Sequence, residues 1–218
     1  MNVGLLNARS IVNKIDQISI MMQEENFDVL FINETWLNNN VNDAEINIPG
    51  YSILRKDRDN GRGGGVAVYL KNTLNAMFRD DITNGSDIET IWVEIIIKNV
   101  GAVLLGTIYR PPSADQKYYE QMLNVLDVAS LENKEVVLTG DLNFDCLQDD
   151  HPSVKGICNC YDMTQMIDKP TRVAFTKDSN NEELNISKTL IDLMFSTCPE
   201  IHRNTQVKQY TISDHYVV

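Results

Sequence analysis

Short apolar runs of strand length, each closing on an acid, an amide or an aromatic hydroxyl, recur along this chain and restrict what it can become. Val3–Leu6 gives out at Asn7, Val29–Ile32 at Asn33 and Glu34, and Leu104–Ile108 at Tyr109. Val136–Gly140 gives out at Asp141-Leu142-Asn143, and Tyr210-Thr211-Ile212 at Ser213-Asp214-His215. Asp192 stands alone inside the run Leu190-Ile191-Asp192-Leu193-Met194-Phe195. Runs this short suit buried strands better than helices. Polar groups at the ends of several strands collect along one sheet rim, where a site can be assembled from distant parts of the chain.

Helices fall between these strands. Ile11, Ile15, Ile18 and Met22 repeat at helical spacing, and Tyr118, Met122, Val125, Leu126 and Ala129 share one helical face. Tyr51–Leu54 and Val66–Leu70 flank the glycine-rich stretch 60–65 and read as a hairpin. Glu89–Lys98 and Val103–Tyr109 form a second pair, joined near Asn99-Val100-Gly101. Glu135–Thr139, Leu190–Ser196 and Thr205–Ile212 are further strands. Strands that dominate, with helices interposed, imply mixed sheets in an α/β layer fold. The 218 residues suffice for one core, so residues 1–218 are read as a single domain, clipped at both ends.

The net charge of −12 argues against wrapping DNA through many phosphate contacts. It is compatible with a local contact and with carboxylates that hold a metal. No window approaches the about 20 apolar residues of a membrane span, and the start lacks the pattern of a secretory leader. An intracellular protein with reduced thiols is therefore expected. Cys146, Cys158 and Cys160 lie near His151, but their spacing matches no common zinc pattern. His151 and His202 lie in polar segments and read as inert.

Each polar position has a plain reading as well as a chemical one. Glu34 ends a very apolar strand, where a carboxylate suits magnesium or manganese but also a solvated strand end. Asp141 and Asn143, two apart on an extended segment, would point the same way, yet Asp and Asn also make turns after strands. Asp192 is costly to bury without a partner, and His215 is the best candidate. His215 beside a carboxylate is an acid–base or charge-stabilising group near neutral pH, or else a surface histidine.

Taken in order, Leu6-Asn7, Asn33-Glu34-Thr35-Trp36, Ile108-Tyr109-Arg110-Pro111-Pro112, Gly140-Asp141-Leu142-Asn143, Ile191-Asp192-Leu193 and Ser213-Asp214-His215 resemble the exonuclease–endonuclease–phosphatase superfamily nearly end to end. Asn7-Ala8-Arg9-Ser10, Glu34-Thr35-Trp36-Leu37, Gly63-Gly64-Gly65-Val66-Ala67 and Lys169-Pro170-Thr171-Arg172 look like the apurinic-type endonuclease domain of LINE-type (non-LTR) retrotransposons. The resemblance implies a four-layer α/β sandwich, two mixed sheets face to face with helices outside, as in DNase I-like proteins. It implies a Mg2+- or Mn2+-dependent endonuclease that nicks DNA and leaves a 3′ hydroxyl to prime reverse transcription. Glu34 would hold the metal with Asn7 and Asp214 nearby. Asp141 would activate water with Asn143 assisting, His215 oriented by Asp192 would meet the scissile phosphate, and Tyr109 would donate to it. DNA is the implied partner, with a reverse transcriptase domain in the parent polypeptide and the nucleus as place of work. Arg62, Arg172 and Thr176 would touch DNA, with Lys56 and Arg58 as further backbone contacts, on loops 38–47, 55–62 and 176–188. Apurinic members carry an acid two residues beyond Asn7, where this chain has Arg9, and LINE-type members often lack that acid too. The alternatives are a phosphatase or phosphodiesterase of the same fold, and a non-catalytic domesticated remnant.

Overall fold

A parallel pair opens the chain: Val3–Asn7 (β1) and Val29–Asn33 (β2), linked by the helix Ile15–Glu25 (α1). Ile18, Met21 and Met22 of that helix are buried. Its end is set by Asn26, which takes the left-handed conformation of a helix C-cap. Tyr51–Lys56 (β3) and Val66–Lys71 (β4) are the hairpin expected from the glycine-rich stretch, and they complete a four-stranded sheet in the order β1-β2-β4-β3. The computed structural model describes residues 1–59, 61–83, 85–98, 101–177, 184–202 and 204–218, so Asn60 of that turn and residues 99 and 100 of the next lie outside the described residues.

The second sheet uses Ala76–Phe78 (β5), Glu89–Ile97 (β6), Gly101–Tyr109 (β7), Glu135–Asp141 (β8), Thr164–Gln165 (β9) and, late in the chain, Asp192–Ser196. A separate hairpin of Arg172–Lys177 (β10) and Leu184–Thr189 (β11) precedes that last strand, β12. The sheet runs β5-β6-β7-β8-β12-β9. Helices Asp80–Thr83 (α2), Gln116–Ser130 (α3) and Pro152–Tyr161 (α4) connect its strands.

Strand alternation places the two sheets face to face. Leu5, Phe31 and Val68 pack in one cluster with Val93, Leu105 and Leu138 of the second sheet, and with Met122 and Val154 of α3 and α4. Leu6, Ile32 and Tyr69, one residue along, pack instead with Ile18 and Met22 of α1. The result is the four-layer α/β sandwich that the resemblance implies, helix, sheet, sheet, helix.

One segment departs from expectation. Thr205–Ile212 forms no strand and makes only the single bridge Lys208↔Val217. Its side chains are anchored instead: Lys208 Nζ and the Tyr210 hydroxyl both donate to the Glu25 carboxylate at the end of α1. The residues expected as a loop over 176–188 include paired strand, with Thr176 opposite Asn185.

The two sheets are tied at one rim by Asn33, a fully buried amide. Its Nδ2 donates to Thr107 Oγ1 at 3.0 Å, and its Oδ1 accepts the Asp141 N–H at 2.7 Å. Gly140, just before Asp141, leaves no room for a side chain: a Cβ there would lie 1.9 Å from the Ile108 carbonyl oxygen. The close approach of β7 and β8 sets Tyr109 and Asp141 side by side at that rim.

Candidate active site

Register brings two carboxylates face to face. Asp192 opens β12 directly opposite Asp141 at the end of β8. Like charges so placed repel, and His215 lies against both. Its Nδ1 is 2.8 and 3.1 Å from the Asp192 oxygens and 4.0 Å from Asp141 Oδ2. Ligand atoms of the three side chains all fall within 4.8 Å of one another, and all three are buried. Thr171 steadies the far side, its Oγ1 accepting the N–H groups of Ile191 and Asp192.

Burial, then the neighbouring Asp192 charge, push the Asp141 carboxyl above its usual range, against the pull of His215, the Asn7 amide and the Asn143 N–H. Burial alone would lower the His215 imidazole, but Asp192, Asp141 and Asp214 outweigh it and hold the pKa above the ordinary value. Burial, with the Glu34 and Asp141 charges, raises the Tyr109 phenol, so it stays protonated and keeps a hydrogen to donate.

Asn7 links this cluster to Glu34. Its Nδ2 donates to Asp141 Oδ2 at 2.7 Å and to Glu34 Oε1 at 2.9 Å. Trp36 Nε1 donates to the other Glu34 oxygen at 3.0 Å. Trp36 is itself fixed by its backbone N–H on the Gly64 carbonyl, with Arg62 5.5 Å above its ring. Asn143 is not extended: it takes a left-handed conformation with φ 50°. Its N–H donates to Asp141 Oδ1, and its Nδ2 donates to the Arg110 carbonyl at 2.7 Å. The Asp141–Asn143 pair is therefore an Asx-type turn that orients the carboxylate, not two parallel side chains.

The structure thus brings together Asn7, Glu34, Tyr109, Asp141, Asn143, Asp192 and His215. Asp214 lies at the rim, its carboxylate against Arg9 and Arg172. Burial would raise its pKa, but Arg172, Arg9 and His215 hold it below the usual carboxylate range. Arg62 and Arg172 are surface cations, and Thr176 is exposed on the β10–β11 hairpin. Two of the expected backbone contacts are spent inside the fold. Arg58 forms a two-pronged pair with Glu89, both contacts 2.8 Å, and Lys56 Nζ donates to the Ser86 and Ile88 carbonyls. His151 caps α4 and stacks on Phe144, and the four cysteines are free.

Sequence reasoning gave no role to Asn33, Trp36 or Thr171. A lone amide closing an apolar strand is a signal for Asn33, and Trp36 two residues from Glu34 is one for the indole contact. Thr171 stands in the Lys169-Pro170-Thr171-Arg172 motif, but its contacts were not legible, since its partners lie 20 and 21 residues away.

No curated protein matches the chain in a sequence search. Among solved structures, the endonuclease domain of TRAS1, a telomere-specific non-LTR retrotransposon, superposes with a TM-score of 0.72 at 15% identity, over 99% of this chain and 94% of that one. The AP endonuclease LMAP of Leishmania major gives 0.73 at 16% identity, over 99% and 85%. A mannosyl-6-phosphatase of Bacteroides thetaiotaomicron gives 0.65 at 18% identity, over 99% and 96%. These neighbours share the fold and span nucleases and phosphatases. The sequence profile of the Endonuclease/Exonuclease/phosphatase family matches residues 1–157, and the chain belongs to that family.

Proposed function

We propose that the chain is a divalent-metal-dependent endonuclease, a single domain that cuts one phosphodiester of DNA and leaves a 3′ hydroxyl. The observation that carries this reading is the continuous polar path from Glu34 through Asn7 and Asp141 to His215 and Asp192. It joins an oxygen-rich end to a proton-handling end along one rim.

The oxygen-rich end fits a hard cation. Two carboxylates, Glu34 and Asp141, converge on one neutral amide of Asn7. Half a turn of that amide, which gives up the Arg9 N–H bond on Oδ1, would present Oδ1 to the same space once a cation sits between the carboxylates. Glu34 and Asn7 would hold magnesium or manganese, which favour oxygen ligands. Asp214 fits this set less well, because both its oxygens already face guanidinium groups. A bound divalent cation supplies neutralisation of charge on the phosphate being cut.

The remaining steps belong to the side chains. Asp141, with its raised pKa and its carboxylate fixed by Asn143, takes the proton of the attacking water. Asn143 aligns that water through Asp141. His215, its pKa held up by Asp192, donates to the phosphate oxygen where negative charge develops. Tyr109 donates a second hydrogen bond there. Arg62, Arg172 and Thr176 meet the DNA backbone. A retrotransposon endonuclease that primes reverse transcription in the nucleus, with a polymerase domain as partner, is the setting this reading favours.

Supercoiled plasmid tests it. With magnesium, the protein converts plasmid to open circles; chelator, Asp141→Ala and His215→Ala each abolish the conversion. Intact plasmid after incubation with folded protein and magnesium would sink the reading and turn the assay to phosphate monoesters.

A further inference from the structure

Two arginines from distant parts of the chain meet on one carboxylate beside this site. Arg9 follows β1, Arg172 opens β10, and Asp214 precedes His215. Arg9 Nη1 lies 3.1 and 3.2 Å from the two Asp214 oxygens, and Arg172 Nε donates to Oδ2 at 2.9 Å. The carboxylate is placed by the backbone as well as by the arginines. The Asp214 carbonyl accepts the Val173 N–H at 3.0 Å, and Ser213 Oγ donates to the Asn7 carbonyl at 2.7 Å.

Two guanidinium groups against one carboxylate leave a local positive charge on a chain whose net charge is −12. Each arginine spends one nitrogen on Asp214. Among the described residues the other guanidinium nitrogens have no hydrogen-bond partner, and the two side chains are 46% and 34% exposed. Lys14 Nζ donates to the Ala8 and Arg9 carbonyls, which pins the Arg9 turn and adds a third cation. An exposed ion pair of this kind adds little stability. Guanidinium forks held at fixed spacing do match phosphate oxygens. Consecutive residues direct Asp214 to the rim and His215 into the buried cluster, so the arginines stand one step along the surface from His215.

We propose that Arg9 and Arg172, bridged by Asp214, form a phosphate-binding subsite for the DNA backbone phosphate next to the one being cut. This rests on the reading of the site as a DNA-cutting one. Arg9 is here a binding residue, and Asp214 positions the two arginines.

Binding of a fluorescein-labelled duplex, followed by anisotropy across a salt series in calcium, tests the subsite without relying on turnover. Wild-type protein binds, and Arg9→Ala and Arg172→Ala each lower the slope of log affinity against log salt by about 0.9, the loss of one phosphate contact. Arg9→Lys, which keeps the charge, keeps the slope, and circular dichroism verifies the fold of each variant. Asp214→Asn keeps an acceptor for the guanidinium groups, removes the opposing charge and tightens binding about fivefold. An unchanged slope in either alanine variant overturns the subsite while leaving the DNA-cutting reading intact. Binding by Asp214→Asn that is weaker than wild type in calcium but equal to it in chelator overturns the bridging role in favour of Asp214 as a metal ligand. No binding by folded wild-type protein overturns both.

Discussion

Of the three carboxylates around His215, Asp192 lies across space and Asp214 is its chain neighbour, and the fold treats these two in opposite ways. Asp192 is 1% exposed, and its oxygens meet a single imidazole nitrogen. Asp214 is 23% exposed and meets two guanidinium groups. Burial makes the first pairing a matter of protonation, because a charge removed from water must be balanced locally. Exposure makes the second a matter of position, since water and salt already screen much of its energy. One residue of sequence separates a proton-handling site from a surface that can receive a phosphate.

The largest test of that contrast is removal of one charge from each side. His215→Ala leaves Asp141 and Asp192 facing each other, buried and without a cation. A loss of about 3–5 kcal/mol is expected at neutral pH. Asp214→Ala is expected to cost about 1 kcal/mol or less. Urea unfolding of the two variants measures both, and similar losses would break the contrast.

Asn33 sharpens it with a neutral group. Asn33→Ala strands the Asp141 N–H and the Thr107 hydroxyl without partners inside the rim. Each unsatisfied group costs about 1–3 kcal/mol, so a loss of about 2–3 kcal/mol is expected after partial relaxation. A loss under about 0.5 kcal/mol in the same unfolding experiment would show that the sheets need no polar tie.

Much of this rim was legible because its residues break an apolar period. Asp192 inside β12 demanded a partner, and His215, beside Asp214 after the run Tyr210–Ile212, supplied it although that run is no strand. Glu34, Asp141 and Tyr109 stood out as endings of runs. The linkages were not legible. Asn33 reaches partners 74 and 108 residues away, and no local pattern encodes such a contact. Arg58 and Lys56 looked like surface cations, yet Glu89 and two carbonyls consume them. Thr205–Ile212 reads as a strand, but Lys208 and Tyr210 are anchored on Glu25 and no ladder forms.

Trp36 probes the oxygen-rich end, where it and Glu34 are half-buried. Its Nε1 holds one Glu34 oxygen. Trp36→Phe keeps the ring and removes the donor. The manganese affinity, read by calorimetry, is expected to weaken on the order of tenfold. Unchanged affinity would place Glu34 outside the metal's ligands.

The smallest effects lie in pH, and there the buried pair His215 and Asp141 and the rim carboxylate Asp214 carry opposite signs. His215 and Asp141 both have folded pKa values above their unfolded ones. Their contribution is full below the unfolded values, about 6.5 for histidine and 3.9 for aspartate, and is lost as pH rises through the folded values. Asp214 is depressed. Its contribution is present above about 3.9 and is lost as pH falls through the folded value. His215 and Asp141 are therefore expected to lower stability as pH rises from mildly acidic to alkaline values, and Asp214→Asn to act mainly on the acid limb. A proton-NMR titration of His215 separates the two neighbours. Asp192 acts on the imidazole by charge and by hydrogen bond, whereas Asp214 is the weakest of the named influences. Asp192→Asn is expected to lower the His215 pKa more than Asp214→Asn does. The reverse order would mean that the rim carboxylate, not the buried one, governs the proton on His215.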